Sequence, residues 1–369
     1  MLHYCHGRFL TVIFSISIFL ISNCNTPYLE FLCESNATQN LTTCIDDSNE
    51  SIILILIIII TGGSGNGSGT ADPNNSALYI ATGGGGLSIS SDEGKSYTNK
   101  TVSDGLGSDF VYQVHVSGDN IYAATTGGLS ISTDGGISFS NKTTANGLGS
   151  DTVFGVHVSD SVIYASTTGG LGISSDGGST FVNRTTANGL GNDFVRGAYT
   201  SGSNVYAATS GGLSISSDGG STFVNRTTAE GLASNNGNKV TVSGGTIYVA
   251  IVGGLGVSTD GGASFTNRTT ADGLGHNTQR GIFVSGSNVY AATSGGLGIS
   301  TDGGATFTNK TTTEGLGANV VSWGYASGNT VYAGTTGGLG ISTDGGTTFT
   351  NKTTADGLGN DDIRGIFVD

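Results

Sequence analysis

The sequence predicts an all-β fold: a seven-bladed β-propeller of 42-residue, four-stranded repeats, closed by pairing the C-terminal strand with the N-terminal blade. Three observations predict it. First, Asp92, Asp134, Asp176, Asp218, Asp260, Asp302 and Asp344 recur at a step of 42 residues, each within nearly the same text. Second, each unit holds four short β-rich runs separated by Gly turns, with no amphipathic helical period. In one unit the runs are roughly Phe110–Val116, Asn120–Thr126, Leu129–Thr133 and Ser138–Thr143. Third, the array is out of phase with itself. It starts at Leu78-Tyr79-Ile80-Ala81, which matches a second strand, and finishes at Ile363-Arg364-Gly365-Ile366-Phe367-Val368-Asp369, which matches a first strand. The strand missing at one end is thus supplied by the other, which pairs two edges that an open array would expose.

Composition agrees and narrows the function. The 369 residues include 65 Gly, 13 Lys and Arg against 27 Asp and Glu, and a formal net charge of −14. Charged residues are 11% of the chain, under half the usual share of about 25%. A binder that tracks nucleic-acid phosphates needs clustered Lys and Arg, so that class is excluded.

The elements follow in chain order. Residues 1–23 read as a signal peptide. His3, His6 and Arg8 precede an apolar run from Phe9 to Ile21, too short to span a bilayer comfortably. The run ends in Leu20-Ile21-Ser22-Asn23-Cys24, which resembles the relaxed lipobox of spirochaete lipoproteins. That resemblance implies acylation of Cys24, and Asn23 departs from the usual Gly or Ala. The other reading is an ordinary cleaved signal with an incidental Cys. Residues 24–76 read as a lipid-anchored flexible tether, with Gly- and Ser-rich text from Thr61 to Gly69. Within it lies a short apolar run, 52–60, which as helix would span only about 14 Å and cannot cross a hydrocarbon core of about 30 Å. Cys33 and Cys44 remain after processing, either paired or idle. Residues 77–369 are the propeller.

Around each recurring Asp the text is of the form Ser132-Thr133-Asp134-Gly135-Gly136-Ile137-Ser138-Phe139. It resembles the Asp-box, or BNR, repeat of sialidases, sortilin-type receptors, xyloglucanases and photosystem assembly factors, all β-propellers. The resemblance covers the propeller region and implies that the box forms the hairpin between third and fourth strands. The residues agree. The carboxylate can accept from turn N–H groups, the second Gly permits positive φ, and the aromatic can anchor the outer strand. The first blade reads Asp92-Glu93-Gly94 and Tyr97, so the first Gly is the dispensable one. The seven Asp residues are expected to be structural.

Chemistry is sparse in this sequence. Arg196, Arg280 and Arg364 hold equivalent first-strand positions, where the other blades place Tyr112, Phe154, Asn238 and Ser322. First strands line a propeller channel, so the three guanidiniums are candidate contacts for an anionic ligand; the other reading is rim solvation set by the repeat register. Resemblance to sialidases would further imply a Tyr–Glu pair and an acid Asp, and no Glu stands out as partner to a Tyr. Asp109, Asp151, Asp193 and Asp361 read as loop formers, so the acid pair that glycosidases need across a cleft has no candidate. No catalytic residue, metal site or cofactor is assigned. His115 and His157 share a position held elsewhere by Tyr199, Thr241, Phe283, Tyr325 and Phe367, which favours packing, and Trp323 is read as channel wall. Seven Asn-Lys/Arg-Thr triplets, from Asn99 to Asn351, are read as repeat text rather than glycosylation sites. The unit spanning 236–268 departs from the others, notably at Val249-Ala250-Ile251-Val252, by drift or as a specialised contact.

Near-identical loops seven times over suit multivalent binding. The expectation is an exported lipoprotein, anchored to the membrane by lipid, at the outer membrane or surface of a double-membrane bacterium. Its propeller is expected to be a monomeric, non-enzymatic scaffold for a protein or glycan, such as an adhesin. The alternatives are a glycan hydrolase of sialidase or xyloglucanase type and a periplasmic assembly factor.

Overall fold

A computed structural model describes residues 77–369, together with the backbone of three short strands, Leu32–Asn36, Leu41–Ile45 and Ser51–Ile52. Cys24, and the apolar run beyond Ile52, lie outside the described residues. The three short strands form an antiparallel sheet within the segment expected as tether, and their register sets Cys33 opposite Cys44. They belong to a unit separate from the propeller.

The propeller has seven four-stranded antiparallel sheets. In the second blade the strands are Val111–Ser117, Asn120–Thr125, Gly128–Ser132 and Ser140–Lys142, within about two residues of the runs read from the sequence. First strands of neighbouring blades run side by side around the axis, and fourth strands lie outermost. The seam is made as expected. Ile363–Val368 pairs with Leu78–Thr82, with Ile366 opposite Ile80 and Val368 opposite Leu78, and it lies between the first strands of blades seven and two.

The core sits between blades. Tyr122, Leu129 and Ile131 of blade two pack on Val153, Val156 and Ile163 of blade three. At the seam Leu78, Ile80, Ile363 and Ile366 pack on Tyr332 and Leu339 of blade seven. Each buried aliphatic contributes about 1.5–3 kcal/mol, so every blade depends on its neighbours and an incomplete ring leaves two apolar faces in water.

Loops fasten one blade to the next. Thr143 caps a short 3₁₀ turn, Thr144–Asn146, in a capping box with Asn146. Phe181 of the following unit donates its N–H to the Asn146 carbonyl at 2.8 Å. The Asn of each Asn-Lys/Arg-Thr triplet is also committed to structure: Asn141 Nδ2 donates to the Gly127 carbonyl at 2.6 Å and Asn225 Nδ2 to that of Gly211 at 2.7 Å. In five blades the nitrogen that would carry a sugar thus ties down the turn between second and third strands, whereas Asn99 Nδ2 donates to the Gly357 carbonyl and Asn267 Nδ2 to that of Gly231, both in interblade loops.

The seven Asp loops join third and fourth strands. Asp134 accepts from Ser132 Oγ (2.7 Å), the Ser138 N–H (3.0 Å) and Ser138 Oγ (2.7 Å), while the buried Ser132 Oγ accepts from the Gly136 N–H at 2.8 Å. These bonds to the ionised form, led by those from Ser138, hold the Asp134 carboxyl down at about 2. Both loop glycines have positive φ, 68° at Gly135 and 85° at Gly136, so the first is not conformationally idle. Glu93 takes its place in blade one at φ 61°, a left-handed conformation that a non-glycine residue adopts at a cost.

Candidate functional site

The site begins with a repeated irregularity. In every blade the first strand slips register against the second around its second residue, as between Val111 and Gln113 or between Val153 and Gly155. A bulge leaves one residue unpaired and re-aims its side chain. The bulged residues are Tyr112, Phe154, Arg196, Asn238, Arg280, Ser322 and Arg364, and all seven line one pocket of about 320 Å³ at the channel mouth. Strand order puts this mouth on the same face as the interblade loops and the turns between second and third strands; the Asp loops lie on the opposite face.

The three arginines predicted as candidate anion contacts therefore share one rim. Each is also held by a neighbour. Arg196 Nη1 donates to Ser210 Oγ at 3.1 Å and to Asn236 Oδ1, and its guanidinium lies 4.4 Å from the Phe194 ring centroid. Arg280 Nε donates to Ser294 Oγ at 3.0 Å. Arg364 grips Asp362 Oδ2 through Nε, at 2.9 Å, and Nη2. Arg364 is thus neutralised locally, whereas Arg196 and Arg280 meet uncharged partners and keep their charge for the mouth.

The floor was not foreseen. The third residue of each first strand is Gln113, Gly155, Gly197, Lys239, Gly281, Trp323 or Gly365. Lys239 Nζ reaches Gln113 Oε1, 126 residues away in sequence, and lies 5.2 Å from the Trp323 ring centroid. The glycines make room for these large side chains. A Cβ on Gly197 would stand 2.7 Å from Lys239 Cδ, and one on Gly155 would stand 2.8 Å from Gln113 Oε1. Lost hydration inside the channel lowers the Lys239 ammonium to about 7. Sequence reading flagged Trp323 as channel wall but passed over Lys239 and Gln113. The available signal was the alternation of four glycines with three large residues at one repeat position.

Two residues further along lies a second layer. His115 meets His157 (5.5 Å between centroids) and Phe367 (5.0 Å); His157 meets Tyr199 (4.8 Å), and Tyr325 stacks on Phe283 (4.3 Å). Burial lowers both imidazoles, His115 to about 4 and His157 to about 3, so each is neutral near pH 7 and packs as an aromatic ring. Thr241 interrupts this collar. Among the described residues no group of three His, Cys, Asp or Glu is placed to hold a metal ion. The loop acids bond backbone: the Thr144 N–H donates to Asp151 Oδ1 at 2.7 Å and the Thr354 N–H to Asp361 Oδ1 at 2.6 Å.

Three features of the deviant unit gather at this mouth. Asn238, Lys239 and Val252 all line the pocket, and Val252 stands where other blades carry Ser210 or Ser294, the hydroxyls that hold arginines.

No protein-family model and no curated protein matches the chain. Among solved structures it is similar to PorZ, an essential bacterial surface component of the type-IX secretion system of Porphyromonas gingivalis (14% identity over 76% of this chain and 37% of that one, TM-score 0.53). It is similar to an ancestral GH74 enzyme (18% identity, 70% and 38% covered, TM-score 0.51) and to YCF48 bound to D1 peptide (16% identity, 70% and 85% covered, TM-score 0.50). These likenesses establish the β-propeller fold. The chain spans less than two-fifths of the length of the PorZ and GH74 structures. Among the described residues no helix is long and apolar enough to cross a membrane.

Proposed function

We propose that this chain is an exported lipoprotein whose propeller is a non-enzymatic binding scaffold, with the channel mouth and its surrounding loops as the ligand face. The observation that carries this reading is the composition of the mouth. Its seven bulged positions present arginine, aromatic, amide and hydroxyl groups, which hold a ligand by charge and stacking. The carboxylate nearest that rim by bonding, Asp362, is occupied by Arg364, whereas glycoside hydrolysis needs two carboxylates working across the substrate. The seven loop texts resemble the Asp-box repeat, a motif of binding propellers as well as enzymes, and their carboxylates are engaged within their own turns. Export and anchoring rest on the apolar leader and Cys24, and place the propeller outside the cytoplasm on a lipid leash.

The full chain is to be applied to glycan and protein arrays and, in parallel, to fluorogenic sialosides and xyloglucan. Retention of a ligand without turnover supports the scaffold. Turnover that disappears with a mouth substitution overturns it in favour of a hydrolase. Labelled fatty acid incorporated by the wild type and not by Cys24→Ser supports the anchor; equal labelling overturns it.

A further inference from the structure

We propose that the floor of the channel mouth is a binding site for a small organic carboxylate, with Lys239, Ser322 and Trp323 receiving the carboxylate and Tyr112 and Phe154 receiving its carbon body. The proposal rests on the mouth being the ligand face and adds the class of ligand. It begins with charge. An ammonium group has three N–H donors, and Gln113 Oε1 takes one of them at 2.5 Å. That acceptor is neutral. None of the ion pairs among the described residues includes Lys239, Arg196 or Arg280. A cation enclosed by protein without a counter-ion is unfavourable unless something anionic joins it.

Unpaired donors make the second part of the argument. Ser322 Oγ and Trp323 Nε1 are buried and have no hydrogen-bond partner, although both residues line this pocket and Ser322 is only 8% exposed. Buried polar atoms are otherwise almost always paired. An indole N–H only donates, a hydroxyl can donate, and the remaining ammonium hydrogens only donate. Such a set asks for an acceptor with several lone pairs, and a carboxylate offers about four acceptor sites. The third part is shape. Tyr112 and Phe154 lie side by side in the lining, 4.6 Å between centroids, and give an apolar surface that a bare inorganic anion cannot use. An acid carrying a ring or carbon chain uses both halves of the site.

Trp323 is the only tryptophan of the chain, so intrinsic fluorescence of the full-length protein reports directly on the floor. The probes are glucuronate as a ring-bearing carboxylate, glucose as its neutral counterpart and sulfate as an anion without a body. The expected result is a saturable change with glucuronate, at least tenfold weaker with glucose and with sulfate, and at least tenfold weaker in Lys239→Met. An equal response in Lys239→Met, equal strength for glucose or sulfate, or no response to glucuronate up to about 10 mM, a threshold weaker than millimolar affinity, overturns the proposal. Should Lys239→Met fail to fold, Ser322→Ala gives the same reading: threefold or greater weakening supports the site, and no change overturns it. A ligand retained on the arrays with a silent fluorescence titration sinks this site and leaves the scaffold standing. A glucuronate response in a chain that also turns over glycosides does the reverse.

Discussion

Lys239 Nζ donates to Gln113 Oε1 at 2.5 Å across the channel, joining blade five to blade two through the centre of the ring. The two belong to the same repeat position, and it is the glycines at four of the other five equivalent positions that let them meet.

The pH response of this contact is the first prediction. Lys239 titrates at about 7 in the fold against 10.5 in the unfolded chain, because the channel strips its hydration. Between those values the unfolded state holds the extra proton, so stability rises with pH across that window and the penalty is full below about pH 7. Lys239→Met removes it. Thermal melting at pH 6, 8 and 9.5 is expected to show the variant's advantage over wild type shrinking as pH rises; parallel curves would refute the assignment.

Clearance at the floor is tested by Gly197→Ala. Its new Cβ would lie 2.7 Å from Lys239 Cδ, an overpacking that costs about 1–3 kcal/mol. In a Lys239→Ala background the same change is expected to cost at least ~1 kcal/mol less, the nearest remaining neighbour being the Asn238 carbonyl oxygen at 3.2 Å, and denaturant titration of the four proteins measures that coupling.

Ring closure depends on the last strand. Ile363, Ile366 and Val368 are buried against the first and last blades. Deleting residues 362–369 removes them and their ladder bonds, a loss of about 5 kcal/mol or more from apolar burial alone. Calorimetry is expected to show a much lower and broader transition. An unchanged melting temperature would mean that the seam is not closed by this strand.

Acid should dissolve the Asp loops. Asp92 and Asp134 are held at about 2, chiefly by hydrogen bonds from Ser96 and Ser138, against an ordinary 3.8. Their contribution is complete above the unfolded value and disappears as pH falls through about 2. Circular dichroism from pH 5 to 1.5 is expected to show wild type losing structure over that interval, and Asp92→Asn with Asp134→Asn losing less of its stability there. Separately, Ser132→Ala leaves the Gly136 N–H buried without its acceptor, at a cost of about 1–3 kcal/mol.

The fold was legible because the repeat states its own period: a recurring Asp, four short runs and a half-unit phase offset leave a closed ring as the economical solution. The shared rim of Arg196, Arg280 and Arg364 was legible for the same reason, since equal register means equal height in the channel. What lies on the axis was not. Lys239 and Gln113 are brought together by radial geometry rather than by spacing along the chain, and the bulge that separates the rim residue from the floor residue is marked only by a break in the alternation, Val111 and Val114 being buried three apart. The positive φ at Glu93 was hidden too, because the substitution made that position look permissive.

The Lys239–Gln113 contact spans the channel between its two layers of first-strand side chains. One layer is basic and hydroxyl-bearing, the other a collar of neutral imidazole, phenol and phenyl rings. Because different residues of each first strand serve the two layers, substitution can alter the chemistry of one layer and leave the side chains of the other in place.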